Sequence, residues 1–82
     1  MSRHKLGAVV LFEQNMDGSY KKIGQTPVMP YGVALDSYTE IPNPPSQLVA
    51  GDTPKEVNEA ILDIVGKMGD VKWVNEYLEP YL

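Results

Sequence analysis

The sequence predicts an α+β domain, a small and mainly antiparallel sheet of three or four strands covered by a C-terminal helical hairpin. Three observations carry this. Residues 6–12 are apolar on both alternating faces over the length of a strand. An Asp17-Gly18 pair follows and marks a hairpin turn, because this dipeptide accepts positive φ at low cost. Residues 54–68 then repeat apolar side chains at helical spacing behind a capping signature.

In the first strand Leu6, Ala8, Val10 and Phe12 share one face, and Gly7, Val9 and Leu11 share the other. With no polar face, the strand is expected in the centre of the sheet or covered on both sides. Residues 20–25 form the returning strand. Lys21 and Lys22 place one lysine on each face, which suits an edge, where lysines discourage pairing with other chains. Gly24, Pro27 and Pro30 interrupt pairing beyond it.

Residues 32–41 alternate weakly. Val33, Leu35, Ser37, Thr39 and Ile41 point one way, and Ala34, Asp36, Tyr38 and Glu40 the other. The pattern predicts a third strand with one wet face. The prolines at 42, 44 and 45 make a stiff connection. Residues 47–50 have the composition of a short fourth strand.

Thr53 is placed to cap the following helix, Pro54 to occupy its first position and Glu56 to complete a capping box. Val57, Ala60, Ile61, Ile64, Val65 and Met68 form the stripe expected to face the core. Gly66 lies inside this helix, where glycine costs about 1 kcal/mol relative to alanine; a close approach by another element is the expected reason. Gly69 is a stop. Asp70 opens a second helix, over 71–79, with Val71, Val74, Tyr77 and Leu78 on one side and Trp73 one turn from Tyr77. Pro80 ends it.

The chain has 82 residues, enough for one domain (1–82, sheet region 5–50, helical region 53–79) and too few for two. It has no cysteine, so an intracellular setting is expected, cytoplasmic or within an assembly such as a virion. The apolar run after the charged N-terminus ends at Phe12, short of a secretory leader, and no run approaches the ~20 residues of a membrane span. Neither a membrane nor a nucleic acid is an expected partner. Residues 1–22 carry four cationic side chains against two carboxylates, and residues 23–82 carry three against nine. The helical half would repel phosphate and suits a basic protein.

His4 is the only histidine. A catalytic triad and a two-histidine metal site therefore cannot form within one chain. Asp36, Glu40, Asp52, Glu56, Glu59 and Asp63 would have to converge to hold magnesium, and nothing in their spacing requires it. Asp52 and Glu56 already have work at a helix N-terminus. No enzyme activity, metal or cofactor is expected. Adjacent helices 54–68 and 71–79 resemble a helix-turn-helix in order only; their acidity opposes DNA. Met29, Tyr31, Tyr81 and Leu82 are apolar or aromatic residues in proline-flanked loop or terminal positions, and these four are the candidate protein-contact residues.

The first strand, the Asp17-Gly18-Ser19-Tyr20 hairpin, and Gly51-Asp52-Thr53 followed by Glu56 at a helix start together resemble the HicB antitoxin family. The resemblance touches about half the chain. The stretch between Tyr20 and Gly51 is longer than that family's pattern, and Pro30-Tyr31-Gly32 stands where a Pro-Asp-Leu-Pro-Gly motif would lie. The resemblance implies a sheet related to the ribonuclease H fold and a domain that sequesters a small RNA-cleaving toxin by covering it. The expected function is thus a non-enzymatic, acidic inhibitor or antitoxin-like protein that docks on a protein partner. The alternative is a structural subunit of a larger assembly, including a homo-oligomer.

Overall fold

The computed structural model describes residues 4–39 and 45–79. The elements are β1 (Leu6–Gln14), β2 (Tyr20–Gln25), β3 (Met29–Pro30), α1 (Tyr31–Thr39), β4 (Ser46–Gly51), α2 (Pro54–Met68) and α3 (Val71–Leu78). The α+β class and the antiparallel sheet agree with the sequence reading, and the two C-terminal helices follow the sheet.

β1 is the organising strand and pairs antiparallel with each of the other three. β4 runs against residues 6–11 of β1, so that Ala8 faces Val49 and Val10 faces Gln47. β3 pairs with Leu6 and Gly7, which β4 also pairs, so β3 lies on the opposite edge from β4. β2 shares that edge with β3, because it pairs with Val10 and Leu11, again residues bonded to β4. Thr26 bridges the two, its N–H donating to the Val9 carbonyl at 2.9 Å and its Oγ1 accepting from the Val9 N–H at 2.9 Å. β2 is an edge strand, as its two lysines predict. Its register slips between Leu11 and Phe12, leaving Ile23 as the extra residue of a bulge and 59% exposed.

The β1–β2 turn follows the Asp-Gly signal. Gly18 has φ +98°, in the region that favours glycine. The Asp17 carboxylate accepts from the Ser19 hydroxyl at 2.6 Å and the Ser19 N–H at 2.9 Å. These bonds, the hydroxyl first, hold the Asp17 carboxyl below the usual aspartate range. A lowered carboxyl stabilises the turn fully above the ordinary aspartate value and loses that contribution as pH falls through its own. The Ser19 amide resonance is therefore expected to titrate at a lower pH than an aspartate in an unstructured peptide. A Ser19 curve at the ordinary aspartate position would contradict the turn geometry.

The core lies between one face of the sheet and the C-terminal helices. Ala8, Val10, Phe12, Tyr20 and Val49 from the sheet meet Val57, Ile61 and Met68 of α2 and Val74 of α3. α2 begins as its sequence requires. Thr53 Oγ1 accepts from the Glu56 N–H at 3.2 Å, and the Glu56 carboxylate reaches back to the Asp52 N–H at 2.7 Å. Gly69 is the C-cap, donating to the Val65 carbonyl at 3.2 Å. Asp70 Oδ1 accepts from the Lys72 and Trp73 N–H groups at 3.0 and 3.2 Å and starts α3.

The third strand expected over 32–41 does not form; residues 31–39 are α1. The burial pattern explains the error. Ala34 is fully buried, and Tyr31, Ser37 and Tyr38 are half-buried, which is helical spacing, whereas Val33 and Leu35 of the supposed strand face are exposed. Pro30 precedes the first helical residue, and the Tyr31 N–H donates to the Lys5 carbonyl at 3.0 Å. α1 covers the face of the sheet opposite α2. A Cβ on Gly7 would lie 3.1 Å from Ala34 Cβ and 3.4 Å from Tyr31 Cδ1, so the helix seats directly on the glycine. β1 is thus covered on both sides, as its two apolar faces require, and residues 47–50, expected as a short fourth strand, lie in β4, the strand that bonds β1 along its first six residues.

Candidate protein-binding surface

α2 and α3 are joined by Gly69 and Asp70 alone, and a shallow groove of about 360 Å³ lies along this junction. Leu62, Asp63, Gly66 and Lys67 of α2 line one side; Asp70 and Trp73 line the other. The stripe of α2 that packs on the sheet leaves Leu62 out, and its side chain is 73% exposed. A Cβ on Gly66 would meet nothing within 4 Å. This corrects the sequence expectation: Gly66 does not admit a close neighbour but leaves open space over the groove.

Trp73 is held in a set orientation. Its ring stacks on Tyr77 with centroids 4.8 Å apart and planes 11° off parallel. The Tyr77 hydroxyl donates to Gln47 Oε1 at 3.3 Å, so the stack is tied through α3 to β4 beneath it. The half-buried Trp73 also packs against the edge of the core. Lys67 places its ammonium 6.0 Å from the Trp73 ring centroid and 3.1 Å from Asp63 Oδ2. The groove thus combines an aromatic wall backed by Tyr77, an exposed leucine and a carboxylate with a cation already beside it. α2, α3 and the Asp70 cap together carry five carboxylates and three lysines.

The other sequence candidates are placed as follows. Met29 pairs with Gly7 and so projects to the α1 side of the sheet, where Tyr31 also packs against Gly7. Both are half-buried, together, and on the opposite face of the sheet from the groove. Tyr81, Leu82 and Glu40 lie outside the described residues. Among the described residues no three histidine, aspartate or glutamate side chains converge as a metal site. His4 instead approaches Asp52 at 3.6 Å, and the Lys5 N–H donates to the same oxygen at 3.3 Å, joining the start of β1 to the β4–α2 turn. Among the described residues no helix is long and apolar enough to cross a membrane.

The groove itself is not visible in the sequence. Its two signals were present: an apolar residue, Leu62, off the core stripe, and a glycine, Gly66, one turn further along the same side. What joins them to Trp73 is the angle at Gly69-Asp70, which is tertiary. No protein-family model, no curated protein and no solved structure matches the chain.

Proposed function

We propose that this chain is a non-enzymatic protein-binding domain, a small acidic inhibitor of the antitoxin kind, that docks on a basic partner through the α2–α3 groove. The observation that carries the reading is the exposed Leu62 beside a fixed Trp73, with open space at Gly66 between them. An aromatic anchor in a depression next to an exposed aliphatic side chain, rimmed by charge, is the arrangement that concentrates binding energy at protein interfaces. The acidic balance of the two helices supports a cationic partner. The HicB-like signals at Asp17–Tyr20 and Gly51–Glu56 support an inhibitor. Met29 and Tyr31 offer a second, smaller contact area on the far face.

The test is capture of the partner from a lysate of the encoding organism, with intact-mass stoichiometry, by the wild type and by Leu62→Gln. Leucine and glutamine have similar helix propensities and the site is exposed, so the substitution should leave the unfolding midpoint within about 0.5 kcal/mol of wild type. Loss of a fixed-ratio complex in the folded variant is the expected result. Capture that ignores Leu62 would remove the groove from the reading. Recovery only of further copies of the chain would replace it with an assembly subunit.

A further inference from the structure

We propose that the groove reads an arginine side chain presented by a basic segment of the partner, the guanidinium lying on the Trp73 ring and pairing with Asp63. This rests on the protein-binding reading above and adds the chemistry of what enters.

The chain's own Lys67 marks the position. Its ammonium sits between the Asp63 carboxylate, 3.1 Å away, and the Trp73 ring, 6.0 Å from the centroid. Both partners favour a cation there, one by charge and one by the negative face of the indole. Lys67 holds the place loosely. The pair is an i, i+4 contact between side chains about half and nearly two-thirds exposed, a class of interaction that contributes little. A guanidinium suits the site better than an ammonium. It is planar, stacks on an aromatic face, binds a carboxylate with two parallel N–H groups and is more weakly hydrated. Lys67, on its flexible stem, can swing to solvent as the arginine enters.

The groove's other features fit the same occupant. Asp70 Oδ1 is committed to capping α3, so Asp63 is the carboxylate available for pairing. Gly66 leaves the approach to the ring open, at the expense of helix propensity and with no packing neighbour to require it. Leu62 supplies an apolar shelf for the stem of the arginine or for an aliphatic neighbour. The surrounding helices are net acidic, which complements a basic segment rather than a single cation.

Trp73 is the only tryptophan, so its fluorescence reports on the site directly. The probes are a synthetic amphipathic peptide with arginine and leucine on one face, and the same peptide with citrulline, which keeps the shape and removes the charge. The arginine peptide is expected to perturb Trp73 and to bind about tenfold tighter than the citrulline peptide. Gly66→Leu should abolish this while raising the unfolding midpoint, because it fills the opening and improves the helix. Asp63→Asn should weaken binding severalfold. Lys67→Ala should tighten it, whereas Lys55→Ala, the same loss of charge at the other end of α2, should not. Equal affinity for arginine and citrulline peptides, failure of the arginine peptide to bind, or equal gains from the two lysine variants would overturn the proposal. Any of these would leave the Leu62-dependent capture untouched, and loss of that dependence would instead remove the reading beneath it.

Discussion

Met68→Ala is expected to destabilise the domain by ~2–5 kcal/mol, the cost of emptying a core site that collapses only in part. Met68 is the last residue of α2 and, among the described residues, the largest fully buried side chain. It lies in the cluster that joins β1, α2 and Val74 of α3, so its removal opens a void where the sheet and both C-terminal helices meet. A domain of this length has roughly 4–12 kcal/mol in total. The variant should therefore unfold at a far lower denaturant midpoint, with an unchanged slope. Ile61→Ala, two turns earlier on the same face of α2 and in the same cluster, is expected to cost ~2–4 kcal/mol. A Met68→Ala midpoint equal to wild type would mean that α2 does not pack on the sheet through this stripe.

Gly51→Ala is expected to cost ~1–3 kcal/mol although it adds a single methyl group, because the site is already overfull. A Cβ there would lie 2.7 Å from Glu56 Cβ and 3.0 Å from the Val57 nitrogen. Neither neighbour is the free end of a side chain. Glu56 is held by its bond to the Asp52 N–H, and Val57 is fully buried in the core. The first turn of α2 must then move away from the end of β4, and the capping pair moves with it. Gly24→Ala is the matched control, since a Cβ on Gly24 would meet only Leu11 Cδ1, at 3.9 Å. Equal midpoints for the two variants would contradict the close junction between β4 and α2. These two core predictions are independent of function, and they bear on the binding experiments: Leu62, Gly66 and Asp63 can be changed without touching either site.

The largest departure of structure from sequence is α1. Its residues carry two periodicities at once. Val33, Leu35, Ser37, Thr39 and Ile41 give a period of two, whereas Tyr31, Ala34 and Tyr38 give a period near 3.6. The apolar β-branched and aliphatic side chains belong to the first pattern, so composition favoured a strand. The second pattern is built around one small residue, Ala34, whose burial depends on the missing side chain of Gly7 across the interface. A small residue facing a glycine leaves almost no hydropathy signal. Local sequence therefore could not show that this face of β1 is covered by a helix.

What the sequence by itself determined is what lies within a few residues. The Asp17-Gly18 turn, the Thr53-Pro54-Glu56 start of α2, the Gly69 stop and the Asp70 cap all appear where their short-range chemistry places them. The edge position of β2 and the double cover of β1 were also legible, because lysines and apolar faces record which surfaces meet water. Only the tertiary structure decided the helix over residues 31–39, the full pairing of β4 with β1, and the groove that brings Leu62, Gly66 and Lys67 to Trp73. Those features depend on contacts between segments distant in the chain, whose energies come from packing and from the angle between elements. A turn residue carries its own preference; a groove exists only once two helices have been set against the same sheet.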